Sequence, residues 1–454
     1  MMIMEQSAKL FKRHLMNSRL NDCAKLMVTR MALAFIFHQG RMSCSAAAGV
    51  IASQPIYRGQ LTRFLARPRW QKEDFNTFGR QQLLQMESRK GRFLFIVDAT
   101  LFSQAGKKTQ NVFSTGNRQR RPQKGRRYNQ KKTRRKNVHS FTFGLLITPS
   151  GYRIPFQIPH YTKGYCEKKG LTYLTTAQAA AKMIRELPLE EEADVLVLGD
   201  TAYDAKCVQQ ACDQRNYLWI VPANPERVDE GPTGNRPKLR SRLKDWTGLS
   251  LKKIRLRAST GKYARYRRIS RYRVGSKQKP RVYDAHQEQR DVHNVGCVQL
   301  VFSTMKENLT TATPDDVKIL MTNATEMSLK EVIEAYAVRW QIELFFKELK
   351  STLHIGQYQF ARFEAVEAWM NCAITTVLFL ERLRAKRLRD RRLSAERRRW
   401  WETQRLHGLC AGFRQECMTE ELKYLCDRLK TPGGIKKMKR LLTNTLPPEF
   451  RVIV

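Results

Sequence analysis

Two uninterrupted apolar runs, each followed by an aspartate, constrain the fold most. Residues 93–97 (FLFIV) lead directly into Asp98, and residues 195–198 (VLVL) lead through Gly199 into Asp200. Runs without polar alternation are typical of strands that are buried on both faces of a sheet, as in α/β proteins. A buried carboxylate is costly unless a cation or a hydrogen-bond donor compensates it. We therefore expect an α/β fold in which both aspartates, each at a strand end, are candidate site residues.

The segments around these strands predict the other elements of the same layer. Strand-like runs at residues 140–148 and 152–161 are separated by Pro-Ser-Gly, which is typical of a hairpin. Residues 175–187 favour a helix that ends before a proline, and residues 205–215 favour a shorter helix. A strand over residues 217–221 follows. The predicted order is strand, hairpin, helix, strand, helix, strand.

The charge balance indicates the class of partner. The chain carries 84 Lys and Arg against 41 Asp and Glu, a formal net charge of +43. A protein this basic needs a polyanionic partner, and nucleic acid is the usual one. An anionic membrane is the alternative, but we find no lipidation motif, no basic amphipathic helix and no apolar stretch of roughly 18 residues. We expect nucleic acid as the partner and no membrane.

Cysteine usage and the N-terminal segment predict the compartment. Ten cysteines are scattered along the chain without a CxxC pair, which is typical of reduced intracellular thiols rather than a zinc site or disulfide framework. The first residues lack an apolar stretch followed by a small-residue cleavage site. We expect a cytoplasmic, nucleoid-associated protein.

A predicted long helix, capped by Ser328, carries a glutamate among cations. Four polar residues at offsets 0, 3, 7 and 14 fall within an arc of roughly 60° on an α-helix. They are Tyr336, Arg339, Glu343 and Lys350. A second stripe on the same helix is apolar and is expected to face the core; it comprises Val338, Ile342, Phe345 and Leu349. Taken alone, the polar stripe is more typical of ordinary i,i+4 ion pairs on a solvated surface than of a binding site.

Together with this glutamate, the two aspartates suggest phosphoryl-transfer chemistry. Two strand-end aspartates and a helical glutamate can share two divalent cations about 4 Å apart, which activate a water or 3′-hydroxyl and stabilise the leaving oxygen. Magnesium suits such hard carboxylate oxygens. Each aspartate by itself could instead be a cap or turn residue. The combination of Asp98, Asp200 and Glu343 in this order is what favours catalysis.

These residues carry a resemblance to a known family. The segment at residues 336–350 (YAVRWQIELFFKELK) resembles the Tyr-Arg-Glu-Lys signature of bacterial DDE insertion-sequence transposases, more narrowly the insertion-sequence-four-like, cut-and-paste group. Residues 97–101 (VDATL) and 199–204 (GDTAYD) resemble the two aspartate motifs of that family. The resemblance extends over about residues 90–370.

The resemblance implies an α/β fold with an RNase H-like catalytic core, a mixed five-stranded sheet with helices that is interrupted by a β-rich insertion, plus helical N- and C-terminal domains. Asp98, Asp200 and Glu343 would be catalytic metal ligands for two Mg²⁺ ions, with Mn²⁺ as a substitute. Tyr336, Arg339 and Lys350 would contact phosphates of the transposon end. An aromatic residue of the insertion would stack on a flipped base, and Trp246 is the candidate, with a core tryptophan as the alternative.

The predicted domain boundaries follow from these motifs. Residues 1–75 are expected to be a helical, helix-turn-helix-like DNA-binding domain. The core is expected over residues 90–222, with a basic arm at 106–137, and again over residues 311–370. The β-rich insertion occupies residues 223–310. A helical region occupies residues 371–454, and its arginines over residues 382–399 are expected to form a solvated helix face.

Two further segments are candidate DNA contacts. Residues 107–136 hold 13 Lys and Arg and no acidic residue, a composition typical of a disordered arm that orders on DNA; the alternative is a solubilising loop. The second helix of the helix-turn-helix-like segment presents further arginines, or is part of a plain helical bundle. The predicted contacts are Arg118, Arg120, Arg121, Arg126, Arg127, Lys131, Lys132, Arg134, Arg135, Lys136, Arg58 and Arg63.

The sequence thus predicts a transposase that binds the inverted repeats at transposon ends, cleaves them by metal-dependent hydrolysis and joins the 3′-hydroxyl ends to target DNA. Its partners would be double-stranded DNA at the transposon ends and the target, and a second copy of itself, as a homodimer in a synaptic complex. An RNase H-like, structure-specific nuclease without strand transfer is the alternative. A non-enzymatic nucleic-acid-binding protein, for which charge alone suffices, is the third reading.

Overall fold

The computed structural model describes most of the chain. The described residues are 11, 13–16, 18, 20–38, 40–50, 57–67, 74–104, 106, 108–115, 136–230, 237–239, 241, 250–257, 261–268, 280–306, 313, 316–431, 433 and 436.

The described strands form one mixed sheet of ten. They are β1 (Phe93–Gln104), β2 (Phe113–Thr115), β3 (Lys136–Ile147), β4 (Arg153–Pro159), β5 (Val195–Leu198), β6 (Leu218–Pro222), β7 (Lys252–Leu256), β8 (Arg281–Val292), β9 (Gly296–Thr304) and β10 (Lys318–Thr322). Their order is β2-β3-β1-β5-β6-β10-β9-β8-β7, with β4 also paired to β3. The pairs β1–β5 and β5–β6 are parallel, and the other pairs are antiparallel.

In the described residues, helices precede the first strand, connect several of the strands and follow the last strand. Those in the described residues are α1 (Asp22–Phe37), α2 (Cys44–Val50), α3 (Arg58–Ala66), α4 (Asp74–Gln85), α5 (Lys163–Lys169), α6 (Thr176–Arg185), α7 (Lys206–Asp213), α8 (Leu329–Tyr336), α9 (Trp340–Thr352), α10 (Phe363–Arg389), α11 (Ala395–Thr403) and α12 (Leu406–Leu429). The mixed α/β class is therefore confirmed. The predicted order of strand, hairpin, helix, strand, helix, strand corresponds to β1, β3–β4, α6, β5, α7 and β6.

The sheet is larger than the five strands expected. The strands of the segment predicted as an insertion, β7 to β9, continue the same sheet, because β9 pairs with β10 and β10 pairs with β6. Unpaired backbone donors at the edge of β10 thereby find partners in β9.

The first strand does not end at its aspartate, so that expectation is wrong. β1 continues for six residues beyond Asp98, to Gln104, because β3 keeps pairing with it from Ile147 back to Asn137. Its parallel neighbour β5 stops at Leu198. Asp98 therefore lies where the cover on one side of β1 ends, which leaves its side chain half-buried.

The predicted long helix is two helices. Ser328 caps α8 as expected, and its hydroxyl accepts a hydrogen bond from the Glu331 amide at 3.4 Å. A 3-10 turn over Ala337–Arg339 then separates α8 from α9. Tyr336 consequently lies outside the helix of Glu343, and the arc calculated for one continuous α-helix does not hold for it. The apolar stripe is confirmed, because Val338, Ile342, Phe345 and Leu349 are all buried.

The central helix of the structure is α10. It contacts β4 of the sheet, α1, α3 and α4 of the N-terminal region, and α11 and α12. By length and hydropathy α10 is the one helix in the described residues that could cross a membrane, but 89% of its apolar window is buried inside the protein. This is the burial of a core helix.

A buried ionic network joins α9 and α10 to the rest of the protein. The Arg268 guanidinium donates to both carboxylate oxygens of Glu381 at 2.5 Å. Arg153 donates to Gln341 on α9 at 2.6 Å and lies 3.5 Å from Glu348 of the same helix. These charged side chains are almost fully buried.

Arg384 also belongs to this network, and it donates to the Trp401 carbonyl at 2.8 Å. The expectation that the arginines of residues 382–399 form a solvated face is therefore wrong for Arg384, which is 3% exposed.

Removing one member of this network should destabilise the fold strongly. Glu381→Ala leaves buried arginines without their carboxylate, so the free energy of unfolding is expected to fall by about 3–5 kcal/mol. Glu364→Ala is the matched control on the same helix, because its partner Lys169 is partly exposed and such pairs contribute about 0–1 kcal/mol. Urea unfolding followed by tryptophan fluorescence measures both. Equal losses in the two variants would contradict the account.

Candidate active site

The two aspartates lie side by side on neighbouring strands. The last residues paired between β1 and β5 are Ile96 and Leu198, and Asp98 and Asp200 each follow two positions later. Adjacent strands are about 4.8 Å apart, so equal offsets on parallel strands bring two side chains to the same level. The strand positions predicted from sequence therefore meet in the structure.

The surroundings of Asp98 raise the pKa of its carboxyl group. One of its oxygens accepts a hydrogen bond from the Ala99 amide at 2.8 Å, and the other lies 3.5 Å from Arg339. Burial, and then the negative charges of Asp200 and Glu343, raise the pKa of Asp98 from 3.8 to about 6, against the opposing effect of the amide and of Arg339. Ionisation of Asp98 is therefore less favourable here than in a solvent-exposed aspartate.

Asp200 is held in the turn that follows β5. Its side chain accepts a hydrogen bond from the Ala202 amide at 2.9 Å and caps a 3-10 helix over Thr201–Tyr203. A Cβ at Gly199 would lie 2.9 Å from the Tyr203 side chain, so only glycine lets the turn close. The buried Tyr203 ring faces both Asp98 and Asp200, and this burial raises the pKa of its hydroxyl. The cap role and the site role coexist at Asp200.

Arg339 bridges the aspartate and the glutamate. Its guanidinium donates to Glu343 in the next turn and lies 3.5 Å from Asp98 on β1. The Arg339 side chain is 15% exposed and that of Glu343 30%, so the pair lies at the mouth of the site. The ordinary i,i+4 pair that the sequence left open does form, but it is shared with a strand 241 residues away.

Lys350 borders the site on the β1 side. Its ammonium donates to the Thr100 hydroxyl at 2.7 Å and lies 5.1 Å from the centre of the Phe102 ring. Thr100 and Phe102 lie two and four residues after Asp98, so all three side chains are on the same face of β1. The helix therefore crosses this face, and Arg339 and Lys350 contact successive positions of one strand.

Sequence reasoning missed a further cation, Lys318. It begins β10, and its ammonium lies 4.4 Å from the centre of the buried Tyr336 ring. Burial and the nearby Arg339 lower the pKa of Lys318, while Asp200 and Glu343 oppose that shift. Nothing in the local sequence marks this lysine, because its position depends on which strand pairs with β6.

The charge and chemistry of these residues fit a hard divalent cation. In the described part of the chain no three Asp, Glu, His or Cys side chains lie close enough together to hold a metal ion as they stand. The Arg339 guanidinium lies between Asp98 and Glu343. A cationic group thus already contacts two of the three carboxylates, and burial nevertheless keeps the pKa of Asp98 raised.

Asp204, which the sequence did not assign to catalysis, has a structural partner. It pairs with Arg227 at 2.6 Å and accepts a hydrogen bond from the Asn224 amide at 2.8 Å. These bonds tie the start of α7 to the segment that follows β6.

The other predicted contacts lie partly outside the described residues. Arg58 and Arg63 are exposed on α3, whose Leu61 and Leu65 are buried. The predicted base-stacking Trp246 and arm residues 116–135 lie outside the described residues, as does the side chain of Lys136. The first part of the arm is ordered: the Asn111 side chain accepts a hydrogen bond from the Thr162 amide at 2.7 Å, and Phe113–Thr115 form β2. The expectation of a disordered arm is therefore wrong for residues 108–115.

Part of the chain is similar to a known protein family. Residues 174–379 match the family model described as the transposase DDE domain. The match runs from the cap of α6 into α10 and includes Asp200 and Glu343, whereas Asp98 precedes it. No curated protein matches the chain. The family match supports a DDE transposase, a class of enzymes that generally uses divalent metal ions.

The raised pKa of Asp98 predicts that the stability of the folded protein depends on pH. A pKa raised in the folded state means that the ionised carboxylate destabilises the fold above about pH 6, and that this effect is absent below the ordinary value of 3.8. Asp98→Asn should therefore raise the melting temperature of the metal-free protein at neutral pH, by an amount that shrinks as the pH falls through 6.

Melting curves recorded in EDTA across this range measure the effect. Asp22→Asn is the control, because the Asp22 side chain is fully exposed and its replacement should change little. A lower melting temperature for Asp98→Asn at neutral pH would contradict this account of the site.

Proposed function

We propose that this chain is a transposase that binds the inverted repeats at the ends of its DNA element, cleaves them by metal-dependent hydrolysis, and joins the 3′-hydroxyl ends to target DNA. One observation carries the proposal: Arg339 lies between Asp98 and Glu343, and Asp98 and Asp200 follow the last paired residues of the parallel neighbours β1 and β5 at equal offsets. The match of residues 174–379 to the transposase DDE domain supports the same function. We further propose that the chain belongs to the insertion-sequence-four-like group, because residues 336–350 resemble the Tyr-Arg-Glu-Lys signature of that group.

An RNase H-like core is the proposed fold of the catalytic part. It consists of β1, the β3–β4 hairpin, β5 and β6, with α6 and α7 between them. The parallel pairs β1–β5 and β5–β6 and the antiparallel hairpin support this interpretation. We infer that the segment from residue 223 to 310 is an insertion between the second aspartate and the glutamate. We further propose that the predicted helical regions at residues 1–75 and 371–454 flank this core, with α1 to α3 and α10 to α12 as their described helices.

Asp98, Asp200 and Glu343 are the proposed ligands of two Mg²⁺ ions, for which Mn²⁺ can substitute. When bound, such ions supply an activated water or 3′-hydroxyl and stabilise the leaving oxygen of an in-line displacement. The two aspartates stay fixed by their strands and by the Ala99 and Ala202 amides. Arg339 must leave Asp98 and Glu343 for these carboxylates to act as ligands, and its guanidinium is then free to bind a DNA phosphate.

Tyr336, Arg339 and Lys350 are the proposed phosphate contacts near the cleaved bond. Arg339 and Lys350 both lie at the rim formed by α9 and β1, and each already binds an oxygen there. Tyr336 is 9% exposed and lies beside Arg339, so we propose that its hydroxyl contacts the same phosphate as that guanidinium. For base stacking, Trp340 is a second aromatic candidate beside Trp246, because it adjoins Arg339 and is 56% exposed.

More distant basic residues would hold the DNA on either side. We infer that Arg58 and Arg63 on the exposed face of α3 contact transposon-end DNA, as a recognition helix does. The arginines and lysines of residues 118–136 are the proposed arm contacts. A homodimer in a synaptic complex follows from the need to bring two DNA ends together.

Replacing the carboxylates should separate binding from cleavage. Asp98→Asn, Asp200→Asn and Glu343→Gln are each expected to reduce Mg²⁺-dependent cleavage of element-end DNA by at least about a thousandfold. Affinity for that DNA should change little, because phosphate contacts supply most of it. Glu326→Gln, an exposed site outside the carboxylate cluster, is the control and should cleave normally. Near-normal cleavage by any of the three variants would overturn the assignment of that residue.

The same assay distinguishes a transposase from a nuclease. Wild-type protein, incubated with a duplex from the DNA that flanks its coding segment, a supercoiled plasmid and Mg²⁺, should yield plasmid molecules covalently joined to the 3′ end of the duplex. Cleavage of the duplex without joined products would favour a structure-specific nuclease and contradict the proposal.

A further inference from the structure

Lys318 occupies the side of the site that no predicted residue covers. Its ammonium is held against the face of the Tyr336 ring at 4.4 Å, and its side chain remains accessible to solvent. A ring face holds a cation by electrostatic attraction and uses none of its N–H donors. Among the residues that the structure describes, no side chain or carbonyl takes up the three donors of Lys318, which are thus available to an anion at the mouth of the site.

Sheet topology fixes where that anion would lie. β10 is antiparallel to β6, and β6 is parallel to β5, so β10 begins at the edge of the sheet where β5 ends. One strand separates Lys318 from the strand of Asp200, which corresponds to roughly 10 Å. Lys350 borders the opposite side of the carboxylates, at Thr100 on β1. The two lysines thus flank the carboxylates on opposite sides.

The spacing of these lysines suits one strand of a nucleic acid. Three inter-strand gaps separate β1 from β10 in the order β1-β5-β6-β10, which corresponds to about 14 Å. Successive phosphates of one strand lie roughly twice as far apart through space as the axial rise of about 3.4 Å, so this distance spans about two nucleotides. A backbone that runs across the carboxylates would therefore place one phosphate near Lys350 and another near Lys318.

We propose that Lys318 is a DNA-contacting residue of this site that binds a backbone phosphate on the Asp200 side of the cleaved bond, opposite Lys350. The inference rests on the proposed function and deepens it, since it assigns the path of the cleaved strand over the sheet edge. An ammonium suits this role because it acts as a point charge and needs no fixed orientation towards the phosphate.

Single neutral linkages in the DNA can test the assignment. The probe is a duplex from the DNA that flanks the coding segment, with one methylphosphonate placed at successive positions around the cleavage site, and affinity is measured in EDTA. For wild-type protein, neutralisation at the contacted positions should weaken binding. Lys318→Met should become insensitive at one position and Lys350→Met at another, about two nucleotides away on the other side of the cleaved bond.

Salt dependence gives a second readout. Lys318→Met should reduce the slope of log affinity against log salt by about 0.9, the value of one phosphate contact, whereas Lys318→Arg should keep it. Lys330→Met is the matched control, an exposed lysine on α8 that should change neither slope nor interference pattern.

Three outcomes would overturn the inference for Lys318. They are an unchanged slope and interference pattern in Lys318→Met, insensitivity at the same position as in Lys350→Met, or a lower melting temperature as the sole effect, which would mean that Lys318 only packs on Tyr336. Failure of the proposed function is recognised separately, because the wild-type protein would then either not cleave the unmodified duplex or cleave it without joining it to target DNA.

Discussion

The structure depends on bringing carboxylates together at one edge of a sheet. Asp98 and Asp200 are side by side because β1 and β5 are parallel neighbours, and Glu343 reaches them from a helix laid across β1. Partial burial, and then repulsion by the other two carboxylates, raises the pKa of Asp98, although Arg339 opposes this shift. Carboxylates in this setting are suited to divalent cations, and the cations around them are suited to a polyanionic substrate.

A rigid scaffold keeps this unfavourable cluster assembled. The apolar stripe of α9 is buried, and on the same helix Gln341 and Glu348 bind the network of buried arginines. Through Arg268 and Glu381 that network also joins α9 to α10 and to the segment that follows α11. Stability far from the site therefore supports the position of Glu343, and the C-terminal helical region acquires a structural role that its composition did not reveal.

Local patterns predicted the elements well, and topology supplied what they could not. The apolar runs, the hairpin and the Ser328 cap were readable because periodicity and turn residues are local signals. The continuation of β1 past Asp98, the ten-stranded sheet and the 3-10 turn before α9 depend on partners distant in sequence. Lys318 was missed for the same reason, and Arg384 was misjudged because a run of arginines does not reveal which one is buried.

The most direct test of the account is whether the three carboxylates jointly hold metal ions beside DNA. Binding of Mn²⁺ can be followed by electron paramagnetic resonance of the free ion, with wild-type protein and element-end DNA. The account predicts that Asp98→Asn, Asp200→Asn and Glu343→Gln each weaken Mn²⁺ binding by at least about tenfold, which corresponds to one lost charged ligand at 1.4 kcal/mol or more. Unchanged Mn²⁺ affinity in any of the three variants would contradict a shared metal site.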